Sequence, residues 1–156
     1  MSRAITRVLA IAILLLATLS ASCGRRAPNA TPEGAVREFV ERMRRVQGDP
    51  ADAKAAFEML SLAARTNLKT RADRYSAASG KTIAPEAMIV PSLFLLRFDP
   101  ERYRAKISGV YALVEADGLL PEERAQIPCV FENDRWRLDL PMPPLPPIQM
   151  RPRESD

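Results

Sequence analysis

The apolar residues of this chain change their period near Pro91, and that switch limits the folds open to it. Before it, Val36, Phe39, Val40, Met43 and Val46 recur at helical spacing and form one stripe. After it, apolar residues alternate with polar ones, as in strands that bury one face. Tyr103, Ala105, Ile107, Gly109, Tyr111 and Leu113 share one parity. Ile127, Cys129 and Phe131 form a second set, and Trp136, Leu138 and Leu140 a third. Helices followed by strands predict an α+β domain, with N-terminal helices packed on an antiparallel sheet.

Local signals place the boundaries. Thr31-Pro32-Glu33 supplies an N-cap, a proline at the first helical position and an early acid. Gly48-Asp49-Pro50 ends that helix. A second helical stretch begins near Ala51 with Phe57, Leu60, Ala64 and Leu68 on one side. Ser61 is placed to cap a further helix carrying Leu68, Ala72, Tyr75 and Ala78, which Gly80 stops. Ala84-Pro85-Glu86 predicts one more helical turn, closed at Pro91. SLFLLRF (Ser92 to Phe98) reads as a compact apolar strand, and Asp99-Pro100 as a turn. Asp117-Gly118 and Glu132-Asn133-Asp134 break the strands that follow. Pro128 has no N–H to give a ladder, so its strand is expected to be an edge or to carry a bulge.

The two ends are of a different character. Met1 to Arg7 is short and basic. Val8 to Leu19 is twelve uncharged, mostly aliphatic residues, and Ser20-Ala21-Ser22 leads to Cys23. That order describes a secretory signal. LSASCG resembles the lipobox of bacterial lipoproteins, with Ser20 where that family prefers Leu. The resemblance implies cleavage after Ser22, diacylglycerol on Cys23 and, with Gly24 rather than Asp next, an outer-membrane address facing the periplasm. Counting every uncharged residue from Val8 to Gly24 gives seventeen, the lower edge of a spanning helix, so an uncleaved anchor is the competing reading. Residues 1–22 are thus read as signal, 23–30 as lipidated cysteine and tether, 31–140 as the α+β domain and 141–156 as a tail. Six of the fourteen prolines fall in that tail. An extended polyproline segment there would present a recognition strip to an envelope partner, or lie as a strap with Met142, Leu145, Ile148 and Met150 over apolar surface.

TPEGAVREFVERM after the tether, LSLAARTNLKTRADR, and the tryptophan strand of FENDRWRLDL resemble uncharacterised lipoprotein members of the nuclear-transport-factor-2-like superfamily. The resemblance spans Thr31 to Leu140 and implies a cone of bent sheet around helices. That family carries binding modules, scaffolds and a few isomerases, so the fold would not settle the function.

The chemistry available is sparse. The chain has no histidine, which removes Ser-His and Cys-His nucleophile pairs and imidazole metal sites. No glycine-rich phosphate loop is present. Loss of residues 1–22 removes Arg3 and Arg7 and no acid, lowering the formal charge from +4 to +2, too balanced for a nucleic-acid footprint. The run Arg65, Lys69, Arg71, Arg74 and Lys81 reads as a solvated face.

Neither a catalytic residue, a metal site nor a cofactor is expected. Cys129 is expected to be a buried thiol. Tyr103, Tyr111 and Trp136 are the candidate pocket lining, within an inward set that also holds Ile107, Phe131, Leu138, Phe39 and Met43. Asp139, of opposite parity to Trp136, is expected to face solvent. Two functions remain. One is a membrane-anchored, non-catalytic binding or scaffold module of the cell envelope; the alternative is a small apolar-ligand pocket protein with weak isomerase-type chemistry.

Overall fold

A computed structural model describes residues 27–145; the segment expected to be a signal, Cys23 and the tail beyond Leu145 lie outside the described residues. Three helices of two turns or more precede a four-stranded antiparallel sheet, so the fold is α+β. Helix α1 is Pro32–Arg45, α2 is Pro50–Glu58 and α3 is Leu62–Ser79. The strands β1 (Arg102–Ser108), β2 (Tyr111–Asp117), β3 (Arg124–Glu132) and β4 (Arg135–Leu138) lie in chain order. A 3-10 turn at Pro28–Ala30 precedes α1 and packs on it. A second 3-10 turn, Pro85–Met88, occupies the expected helical turn.

Each helix starts on the residue its sequence provides. Thr31 Oγ1 accepts the Gly34 N–H at 3.1 Å, and Asp49 Oδ1 accepts the Ala51 N–H at 2.8 Å. Gly80 ends α3 in the left-handed conformation, at φ 68°, where a side chain is disfavoured. Helix α1 buries Ala35, Val36, Phe39, Val40 and Met43 and touches β1, β2 and β4, so it lies across the sheet's inner face. Ala112, Val114, Ala116, Ile127, Cys129, Trp136 and Leu138 meet it from the strands; Leu60, Ala64 and Leu68 close the other side.

The junction between α2 and α3 joins helices to sheet. The Leu138 N–H donates to the Met59 carbonyl at 3.0 Å, and the Ser61 N–H donates to the Leu138 carbonyl at 2.8 Å. This short parallel bridge covers the open side of β4. Ser61, 1% exposed, uses its hydroxyl twice. It accepts the Ala64 N–H at 3.1 Å as the cap of α3 and donates to Asp139 Oδ1 at 2.7 Å. Asp139 is therefore half-buried and engaged, not a solvent-facing carboxylate.

Three other expectations are corrected. Tyr103 to Leu113 is not one strand. Gly109, at φ 60°, and Val110 form a two-residue hairpin loop, with Ser108 paired to Tyr111. Glycine at the first of two central residues is the signature of a type II′ turn. Because the chain reverses there, parity inverts: Ala112, Val114 and Ala116 face the core, while Tyr111 and Leu113 point outward. Ser92 to Phe98 is not a strand either. Pro91, with its φ preset for a helix start, opens the single turn α4 (Pro91–Phe94), and an irregular segment follows. Lastly, Pro128 sits in β3, a central strand whose pairing to β2 runs without a bulge. Its carbonyl accepts the Asp139 N–H at 2.8 Å, so its missing donor points to where β4 has just ended and no β2 bond is lost.

At the far end of α1, Asp52 is 7% exposed and accepts from Arg45 Nε at 2.9 Å and Arg42 Nη1 at 2.9 Å. The hydrogen bond from Arg45 holds its carboxyl below the usual carboxylate range, against the opposing effect of desolvation. Its stabilising contribution is full above about pH 4 and is lost as pH falls through the folded value. In urea unfolding at pH 7, Ser61→Ala is expected to cost about 1–2 kcal/mol, by loss of a helix cap. Tyr111→Ala, on the outer face, is expected to stay within about 0.5 kcal/mol.

Candidate functional site

The interior is the first place to look, because the sequence nominates it. Tyr103 and Trp136 do lie on the sheet's inner face, but on β1 and β4, the two outer strands. Three strand spacings, about 14 Å, separate them. The gap is filled by Val114 at 0% exposure, Cys129 at 1%, and Phe39 and Met43 of α1 at 2% and 1%. Tyr111 belongs to the opposite face, at 61% exposure. The three candidate lining residues therefore do not converge on one cavity.

Each has a packing role instead. Trp136 is buried and tilts against Phe131, with ring centroids 5.3 Å apart. Phe131 and Ile107 keep the inward parity but lie at strand ends and stay exposed. Tyr103 is half-buried beneath the Arg37 guanidinium, 5.2 Å from its ring, and burial pushes its phenol above the ordinary value. The edge strand beside it is guarded: the Ala105 N–H donates to Glu33 at 3.2 Å.

Among the described residues, the buried polar side chains are Asp52 and Ser61. Both are engaged with named partners, and neither borders the sheet's centre. No cluster of three metal-ligating side chains occurs among the described residues, and none of their helices is long and apolar enough to cross a membrane.

The surface carries more relief. An apolar groove of about 220 Å³ runs between α3 and the Pro85–Phe94 segment, lined by Leu68, Tyr75, Met88, Val90 and Phe94. Met142 and Pro143 form its other wall, and the Arg71 guanidinium donates to the Pro143 carbonyl. Leu145 continues along α3 beside Arg74, Tyr75 and Ala78. The first residues of the tail thus lie on the domain; Ile148 and Met150 fall outside the described residues.

On the sheet's outer face, Arg104 bridges Glu115 and Asp117 at 3.2 and 2.7 Å, and Arg124 bridges the same pair at 3.3 and 3.1 Å. Half-exposed arginines in such pairs add little stability each. They do fix the register of β1, β2 and β3, because opposite charges face each other across strands. Tyr111, Leu113, Pro128 and Val130 form an apolar strip at paired positions of that face, flanked by Lys106, Gln126 and Arg137. Parity reasoning had put Tyr111 inside, so this face was not foreseen; the Ser-Gly-Val-Tyr loop was the signal that would have found it.

Comparison with protein-family models, curated proteins and solved structures finds no match to this chain.

Cys129 completes the interior. Its Sγ lies 3.9 Å from the Ile127 carbonyl, and desolvation, followed by the nearby Asp139 and Glu33 carboxylates, pushes the thiol up to about 12. A thiol so held is protonated and unreactive. Aromatic disulfide reagents at pH 8 are expected to leave Cys129 untouched in the native protein and to react fully in denaturant. Between the thiol's ordinary value, about 8.5, and about 12, only the unfolded chain releases this proton, so stability should fall as pH rises through that window. Cys129→Ala should remove this pH dependence.

Proposed function

We propose that the protein is a lipid-anchored periplasmic module of the bacterial envelope, tethered through Cys23 to the outer membrane, and that it binds or scaffolds rather than catalyses. The observation that carries the non-catalytic part is the filled interior. General acid–base chemistry needs a titratable group inside a cavity that admits substrate. Here the centre of the sheet meets α1 through Val114, Cys129, Phe39 and Met43, all at 2% exposure or less. Binding then falls to the outside, either to the domain or to the proline-rich tail, with an envelope protein as partner.

The anchor is supported by the basic start, the twelve-residue apolar run and LSASCG. Its physics is adequate. Each buried CH₂ is worth about 0.8 kcal/mol, and two acyl chains hold stably where one does not. The cone of the nuclear-transport-factor-2-like superfamily belongs to the same reading. Helices ahead of an antiparallel sheet, and a capped helix laid across its inner face, support it.

Cells fed labelled palmitate are expected to label this protein, and Cys23→Ala is expected to abolish the label. An unlabelled wild type that keeps Met1 to Ser22 would sink the lipid anchor in favour of an apolar helix. Tyr103→Phe separates the two functions. It keeps the ring beneath Arg37 and removes only a hydroxyl, so cellular function should survive. A folded but inactive Tyr103→Phe protein would revive the ligand-pocket alternative.

A further inference from the structure

Three arginines gather where the chain enters the domain. Arg135 and Arg137 lie two residues apart on one face of β4, about 7 Å from each other along the strand. Arg65, in the first turn of α3, is held beside them by the Met59–Ser61 bridge to Leu138. Among the described residues none of the three makes an ion pair, whereas Arg42, Arg44, Arg45, Arg104 and Arg124 all do.

Their donors are only partly used. Arg137 Nη1 donates to the Glu58 carbonyl, while Arg137 Nε and Arg65 Nε are buried and have no acceptor. Burial, then the charges of Arg65 and Arg135, push Arg137 below its ordinary value, so the three positive charges act on one another. The nearest acids compensate in part. Glu132 accepts the Leu62 N–H at 2.9 Å, Glu38 pairs with Arg42 at 2.7 Å, and Glu58 is exposed at the rim. The two Nε groups are out of reach of solvent, but the guanidinium ends of Arg135 and Arg137 are not, and without ion pairs they suit an anion with several oxygens.

The position of this cluster selects the anion. Arg135 and Arg137 line a surface groove of about 250 Å³ with Ala27, Pro28 and Asn29; its other charged walls are Arg42, Glu38 and Glu58, and Arg65 lies behind it. Ala27 is four residues from Cys23, a reach of at most about 14 Å. Arg25 and Arg26 lie within that short link.

We infer that Arg135 and Arg137, with the charge of Arg65 behind them, form a seat for the phosphate of an anionic lipid headgroup, which sets the domain against the membrane on its β4 side. The inference rests on the reading of Cys23 as the lipid anchor. Anchoring makes the encounter intramolecular, so a weak seat suffices: a short tether raises the effective headgroup concentration to millimolar or more.

The test uses the cell-processed protein in neutral detergent micelles, with lipid on Cys23 read by mass. Its melting temperature is followed against dihexanoyl phosphatidylglycerol, dihexanoyl phosphatidylcholine and inorganic phosphate, at low and high salt. A saturable rise is expected with phosphatidylglycerol, weaker at high salt and absent with phosphatidylcholine. Arg135→Gln, an exposed side chain that the fold does not need, should weaken apparent affinity about fivefold, and Arg135→Gln with Arg137→Gln more than tenfold.

A flat response to phosphatidylglycerol, or variants that respond like wild type, would overturn the seat. An equal rise with inorganic phosphate would overturn the headgroup assignment. A missing lipid on Cys23 would defeat the anchor by a separate readout, since the titration does not depend on it.

Discussion

The bond pair at Leu138 ties this protein together. A sheet of four short strands with one open side, and three helices with apolar stripes, are separately marginal objects. Leu138 gives its N–H to Met59 and takes the N–H of Ser61, so the α2–α3 junction becomes a fragment of the sheet. Leu60, between those two residues, is thereby driven to 0% exposure against the core. The direction of α3 follows, because Ser61 caps that helix from the same position. Asp139, by taking the Ser61 hydroxyl, satisfies the hydroxyl donor this arrangement buries.

Much of this was legible in the residues. Caps declare themselves: Thr31, Asp49, Ser61 and Gly80 stand where the helices begin and end. The stripe of α1 and the inward parity of β3 and β4 follow from spacing alone. Failures came where a local rule met a tertiary one. A two-residue loop is nearly invisible to alternation, because the chain on both sides keeps an alternating pattern while the face it buries inverts. Gly109 was counted as a strand residue on that account, and Tyr111 was carried inside with it. Pro128 shows the reverse limit. Its missing donor forbids a ladder bond on one side only, and the length of the neighbouring strand decides whether any bond is lost. The Met59–Ser61 bridge has no local signature, since a three-residue extended link between helices takes its meaning from a strand about eighty positions away.

The candidate site was less legible than the fold, for a physical reason. Aromatic residues with polar tips serve cores, rims and pockets alike. Only placement separates these uses: Trp136 went to the core, Tyr103 to its rim and Tyr111 to the outer face. A chain without histidine gives up the most adaptable acid–base group near neutral pH. Its carboxylates are spent on structure: Asp52 holds α2 to α1, Glu33 guards the β1 edge, and Glu115 with Asp117 aligns three strands.

Charge therefore does two kinds of work here. On the outer face of the sheet it is balanced, with two arginines against two acids, and its effect is geometric. At the β4 side it is in excess, with buried donors left over and the tether entering alongside. A freely diffusing domain would gain little from such an excess, because surface charges are screened over about 8 Å at physiological salt. On the proposed anchor, a tether of at most about 14 Å would let the domain bring such charges within that distance of a bilayer. On that reading tether length and charge placement would act as one device: the anchor would supply proximity, and the arginines would convert proximity into a fixed orientation. Val130 pairs with Arg137 on one face, so that orientation would also bring the apolar strip of Tyr111, Leu113, Pro128 and Val130 towards the membrane and leave the tail along α3 to meet a partner.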